Sequence, residues 1–156
     1  MRNKIIIHID MDKTLCDFEK EYFKVKAEQP QREYPQSDPG FFLRLEPLPD
    51  AIDVYRWLDS QAIFDVWILT APSVYNPLCY TEKRQWVGQY FDIDVAHKLI
   101  LSPDKSLVKG DYLIDDCLEG KGQEGFDGEL IQFGSEAFSS WAAVKAWFIK
   151  KYGIQS

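Results

Sequence analysis

Six side chains in this sequence of 156 residues could do chemistry together: Asp10, Asp12, Thr70, Lys105, Asp115 and Asp116. Asp10 and Asp12 lie at the end of a short, β-branched run, Ile5 to Asp10, and Asp115 and Asp116 follow another, Tyr112 to Ile114. In a parallel sheet all strand carboxyl ends share one edge, where ligands bind. Four carboxylates gathered there repel one another unless a cation offsets their charge. Hard oxygen donors with no histidine beside them suit Mg²⁺ rather than zinc. Thr70 ends a third apolar run on the same edge, and Lys105 opens a short helical segment. A hydroxyl and an ammonium beside a metal and carboxylates suit a phosphoryl group. Metal and lysine offset the charge on the phosphoryl oxygens, and an aspartate can then attack phosphorus.

The elements that must position these groups alternate in type. Apolar runs at Ile5 to Asp10, Phe64 to Thr70, Lys98 to Leu101, Tyr112 to Ile114 and Leu130 to Phe133 predict five strands, short and continuous enough to be buried on both faces. Helices are predicted at Asp17 to Gln29, with Phe18, Tyr22 and Val25 on one face, and at Pro49 to Ser60, where the proline suits a first turn. Others are expected at Thr81 to Phe91 and after a Ser139 or Ser140 cap, with Trp141, Val144 and Phe148 on one face. Pro103 to Lys109 forms one or two helical turns, and the four glycines of Gly120 to Gly128 mark a loop. Three prolines make residues 29 to 39 irregular. Strand–helix alternation argues for an α/β fold with a parallel, Rossmann-like sheet covered on both faces. One domain spans residues 1 to 156, with a small helical and irregular cap at about 17 to 42, inserted after the first strand.

Composition limits the partners. With 46% hydrophobic residues the chain can build a core, and no run of 18 apolar residues exists to span a bilayer. A net charge of −7 disfavours polynucleotides and anionic membranes, and no Lys/Arg stripe is visible. Cys16, Cys79 and Cys117 are odd in number, far apart and without a CxxC, so they are expected to be packing residues of a cytoplasmic protein. His8, His97 and the five tryptophans are expected to be structural.

Asp10-Met11-Asp12-Lys13-Thr14, Thr70, Lys105 and Asp115-Asp116 appear in the order of the four motifs of haloacid dehalogenase-like phosphohydrolases, which the chain resembles. Within that family it is similar to the 5'(3')-deoxyribonucleotidases. The likeness is carried by Asp12 through Cys16-Asp17-Phe18-Glu19, by Pro39-Gly40-Phe41-Phe42-Leu43 running into Leu45-Glu46-Pro47-Leu48-Pro49, and by Cys79, Glu82-Lys83 and Trp86-Val87. Asp104-Lys105-Ser106 and Gly110-Asp111 before Leu113-Ile114-Asp115-Asp116 extend it, and Ser140-Trp141 reads similarly. Position after Asp104 favours Lys105 over Lys109 as the motif lysine.

The resemblance implies roles. Asp10 would be the nucleophile and form an aspartyl-phosphate. Asp12 would protonate the leaving oxygen and then activate water. The Asp10 side chain, the Asp12 carbonyl and Asp116 would hold Mg²⁺, with Asp115 beside them. Thr70 and Lys105 would grip the phosphate, and Phe18, Phe42, Tyr34 and Ala71 would line the substrate site. The expected substrate is a small phosphate ester, a nucleoside monophosphate, with the oligomeric state open and a homodimer among the options. Three departures touch substrate binding and none the hydrolytic core. Ala71 stands where those enzymes have serine, Pro103 where they have arginine, and the cap is shorter by roughly one helical hairpin. Tyr34 is the nearest counterpart of their cap Phe-Trp pair. Lys13 replaces a common glycine. Two alternatives stay open: a phosphatase for another small ester, and a non-catalytic phosphate- or metal-binding module.

Overall fold

The computed structural model describes residues 3–156. Five strands, β1 (Ile5–Ile9), β2 (Phe64–Thr70), β3 (Leu99–Leu101), β4 (Tyr112–Asp115) and β5 (Glu129–Gln132), form one sheet in the order β3-β2-β1-β4-β5. Every pairing is parallel. The helices are α1 (Phe18–Glu28), α2 (Ala51–Ser60), α3 (Cys79–Tyr90), the single turn α4 (Ile93–Ala96) and α5 (Trp141–Tyr152). Among the described residues no helix is long and apolar enough to cross a membrane.

The strand order dictates how the sheet is covered. Chain connections leaving β1 run toward β2 and β3, then return across β1 to β4 and β5. With right-handed crossovers, the first two connections lie on one face and the return on the other. The larger core follows this pattern. Ile7, Ile9, Val66, Ile68 and Ile114 share a face by register and join Val25, Leu58, Trp86, Val144 and Phe148 from the helices. The other face carries a smaller cluster of Leu69, Leu113 and Phe126. It is closed by the short connections after β3 and β4, not by α-helices. The sheet is covered on both faces as expected, by α-helices on one and by short connections with 3₁₀ turns on the other.

Local signals explain most boundaries. Ser140 accepts a hydrogen bond from Ala143 N and opens α5, and Gly153 in the left-handed region closes it. Asp17 caps α1 through Lys20 N. Pro49 does not enter the first turn of α2: Asp50 takes φ +62° and the helix starts at Ala51. Cys16 and Cys79 are buried, whereas Cys117 is exposed and is not a packing residue.

The segment between β1 and α2 holds α1 and two 3₁₀ turns, Pro35–Ser37 and Phe42–Arg44. It is pinned to the core. Glu82 of α3 accepts from Gly40 N at 2.5 Å and Phe42 N at 3.2 Å, and Trp86 Nε1 donates to Leu45 O at 2.8 Å. Asn76 Nδ2 donates to Gln36 O at 3.0 Å.

Candidate active site

The sheet's strand order reverses between β1 and β4, and a crevice opens at their carboxyl ends. Asp10 leaves β1 there and Asp115 ends β4, with Asp10 N donating to Ile114 O at 2.9 Å. The loop after Asp10 is tight: the backbone N–H groups of Thr14, Leu15 and Cys16 all point to Met11 O. Trp141 Nε1 ties it to α5 through Thr14 O at 2.8 Å. Lys13 adopts φ +64°, a left-handed conformation that costs a residue with a Cβ about 1 kcal/mol.

Lys105 enters from the connection after β3. Its side chain is 2% exposed, and Nζ donates to Asp10 Oδ1 at 2.9 Å and to Asp115 Oδ2 at 2.5 Å. Gly122 fixes this approach. It has φ +85°, and a Cβ there would collide with Asp104 and the backbone of Lys105. The close packing lets Lys105 N donate to Lys121 O at 2.7 Å.

Electrostatics at the crevice are unbalanced. Burial, with Asp115 and Asp12 nearby, pushes the Asp10 carboxyl up to about 8 despite the Lys105 ammonium. Burial and then Asp115 also raise Asp116. Burial alone would lower Lys105, but Asp10 and Asp115 hold it above its ordinary value. Carboxyls raised in this way favour a cation or a proton beside them.

Donor chemistry fits a hard divalent cation. Asp115, Asp116 and Cys117 offer ligand atoms within 4.8 Å of one another. Burial and Asp116 raise the Cys117 thiol to about 11, so near neutral pH it is a protonated, soft group unsuited to Mg²⁺. Asp115 is largely engaged already: Oδ1 accepts from Cys117 N at 2.9 Å, and Oδ2 from Lys105 and from Gln123 Nε2 at 3.2 Å. Asp10 Oδ2, reached by the Thr14 hydroxyl at 3.4 Å, and Asp116, reached by the Cys117 thiol at 3.5 Å, are the freer donors.

Asp10, Asp12, Phe18, Tyr34, Phe42, Ala71, Lys105, Asp115 and Asp116 all line one cavity of about 360 Å³. Thr70 does not. It is fully buried, and its hydroxyl accepts from Lys83 Nζ at 2.5 Å. Lys83 is the residue that the sequence reading left without a role. It is 0% exposed and also donates to Asp12 Oδ2 at 3.0 Å and Ala71 O at 2.8 Å. Spacing held the signal: Cys79, Lys83 and Val87 recur every four residues, so the lysine sits on the buried stripe of α3. Lysine is almost never fully buried unless paired. Phe42 packs edge-on to Phe41, and Lys83 Nζ lies 5.1 Å from its ring centre.

The family model for the 5' nucleotidase, deoxy (pyrimidine), cytosolic type C protein matches residues 32–139. A protein of Vibrio phage KVP40, provisionally named a 5'(3')-deoxyribonucleotidase, is 35% identical over 144 residues, covering 91% of this chain and 83% of its own. The human cytosolic 5'(3')-deoxyribonucleotidase is 42% identical over 86 residues, covering 55% of this chain and 43% of its own. The human mitochondrial 5'(3')-deoxyribonucleotidase is 32% identical over 145 residues, covering 74% and 64%.

Proposed function

We propose a specific activity for a chain that belongs to the cytosolic type C deoxy 5' nucleotidase family: it is a phosphoric monoester hydrolase that removes phosphate from nucleoside monophosphates, with Mg²⁺ as cofactor and an aspartyl-phosphate at Asp10 as intermediate. The observation that carries this reading is Lys105. Its buried ammonium bridges Asp10 and Asp115 at the wall of a cavity that also holds Asp12 and Asp116.

Mg²⁺ would sit among Asp10, the Asp12 carbonyl and Asp116, with Asp115 oriented behind them by Lys105 and Gln123. When bound it neutralises the carboxylates and the phosphoryl oxygens. The chain's own residues do the rest. Asp10 attacks phosphorus as the ester P–O bond breaks. Asp12 gives its proton to the leaving oxygen. Asp12 then takes a proton from water as that water attacks phosphorus, and the Asp10–phosphorus bond breaks to release phosphate and restore both carboxyls. Oδ1 of Asp12 has no hydrogen-bond partner, while Oδ2 is held by Lys83, so Oδ1 is the atom suited to carry the proton. Lys105 offsets charge on the transferring group.

Phe18 and Phe42 give the cavity an aromatic wall suited to a flat base. Cytoplasmic location is part of the reading, supported by the cytosolic human relative. Phosphate release is the test, measured on deoxy- and ribonucleoside monophosphates, sugar phosphates and a chromogenic ester, with and without Mg²⁺. Mg²⁺-dependent turnover fastest on deoxynucleotides, and lost in Asp10→Asn, is the expected result. Turnover confined to sugar phosphates would replace the substrate, and turnover unaffected by Asp10→Asn would remove the mechanism.

A further inference from the structure

Two adjacent residues of α3 grip different parts of the molecule. Glu82 faces the cap. Its carboxylate, on a residue 5% exposed, accepts from Gly40 N at 2.5 Å and from Phe42 N at 3.2 Å. A carboxylate has two oxygens, so this one side chain fixes the backbone on either side of Phe41. Lys83 faces the end of the sheet. It donates to Asp12 Oδ2, the Thr70 hydroxyl and Ala71 O, which uses every N–H an ammonium has.

Phe42 joins the two grips. Glu82 holds its backbone, and Lys83 Nζ lies 5.1 Å over its ring centre. At that distance a ring face attracts a cation, most strongly where water is excluded. Phe42 is 1% exposed and Lys83 0%. Phe41 packs edge-on against the Phe42 ring at 5.1 Å, and Phe18 lies tilted at 6.4 Å. Phe42 lines the cavity, yet nearly all of its ring is already covered and little is left for a substrate to touch. Its ring instead gives the ammonium a dry, polarised side. A low local dielectric strengthens the hydrogen bond from Lys83 to Asp12.

We propose that Phe42 is a positioning residue for proton transfer: held by Glu82, its ring shields the Lys83 ammonium and so keeps Asp12 in the orientation that leaves Oδ1 free. This inference rests on the acid–base role given to Asp12 above. It makes the cap part of the proton-transfer machinery without any contact to substrate.

The test is a double-mutant cycle in kcat, measured on a nucleoside monophosphate with Mg²⁺. Phe42→Leu keeps an apolar side chain and removes the ring. It is expected to lower kcat about 3- to 30-fold, the size of a lost cation–π contact, with KM little changed. Glu82→Gln, which loses one of its two acceptors, should lower kcat in the same direction. In a Lys83→Met background, Phe42→Leu should cost nothing further. Circular dichroism at the assay temperature checks that each variant is folded, and Phe42→Met, which fills more of the ring's volume, is the second variant. A loss that falls on KM, or an equal loss with and without Lys83, overturns the proposal, as does an unchanged kcat in both Phe42 variants. Failure of the underlying reading looks different: Lys83→Met and Asp12→Asn would then leave kcat unchanged, and the proposal falls with it.

Discussion

The Lys83 ammonium lies 3.0 Å from Asp12 Oδ2 and 2.5 Å from the Thr70 hydroxyl, on a side chain with no solvent exposure. One buried cation thus joins α3 to two of the motif loops. Burial alone would lower it, but Asp12, Cys79 and Asp10 hold it above its ordinary value, so it stays charged. The arrangement fixes the orientation of Asp12 and leaves Oδ1 free.

Removing that cation should separate proton transfer from binding. Lys83→Met leaves Asp12 unoriented, and Thr70 and Ala71 lose a donor. We expect kcat on a nucleotide to fall about 100-fold or more, the usual weight of general acid–base catalysis, with KM changed far less. Asp12→Asn should fall further. On a chromogenic ester, whose leaving group departs without a proton, both variants should still release one equivalent of leaving group rapidly and then stall, because the second step needs Asp12 as base. Stopped-flow and steady-state kinetics on the two substrates check this, and loss of that first burst on the chromogenic ester as large as on the nucleotide would deny Asp12 the acid role.

His8 makes the fold sensitive to acid. Burial lowers its pKa from the ordinary 6.5, its Nε2 bonds Lys109 O at 2.8 Å, and its buried Nδ1 has no partner. A protonated ring would carry a second N–H with nothing to accept it. The unfolded chain takes up that proton near 6.5 and the folded chain only below it, so the unfolded state binds more protons in that window. The His8 contribution is complete above 6.5 and is lost as pH falls through the folded value. Thermal melts from about pH 8 to about pH 5 should show a steeper fall in Tm for the wild type than for His8→Gln. Parallel curves would contradict this.

Lys13 carries backbone strain in the loop after β1. Its φ of +64° suits glycine, and its exposed ion pair with Glu19 at 3.2 Å offsets little of that cost. Lys13→Gly should raise stability by about 0.5–1 kcal/mol, or about 2 °C in Tm for a chain of this size. Calorimetry decides it, and a lower Tm would mean that the lysine stabilises the loop more than its backbone costs.

Much of this was legible from residue types alone. β2 occupies Phe64 to Thr70 as expected, because a seven-residue apolar run between turn signals has few other fates. The Ser139 or Ser140 cap announced the last helix through its chemistry, and Ser140 is the one that caps α5. Pairwise proximity was less visible. Thr70 was placed on the right edge, yet facing the cavity or facing Lys83 depends on where α3 packs, which no local pattern encodes. Lys83 was hidden for the same reason: a lysine in a polar-looking helix of mean composition gives no sign of burial until its four-residue spacing with Cys79 and Val87 is weighed. The uneven cover of the sheet followed from strand order, which the sequence does not spell out.

The proposed covalent bond from Asp10 to phosphorus is open to chemical trapping. The protein would be quenched during turnover of a deoxynucleoside monophosphate with Mg²⁺, reduced with borohydride and mapped by mass spectrometry. Borohydride converts an aspartyl-phosphate to homoserine and leaves a free carboxylate untouched. Homoserine is expected at position 10, dependent on substrate and Mg²⁺, and accumulating in Asp12→Asn on a chromogenic ester, whose leaving group needs no proton while the second step still needs the base. Rapid turnover with homoserine at Asp12 in place of Asp10, or at neither in the wild type and in Asp12→Asn, would contradict it.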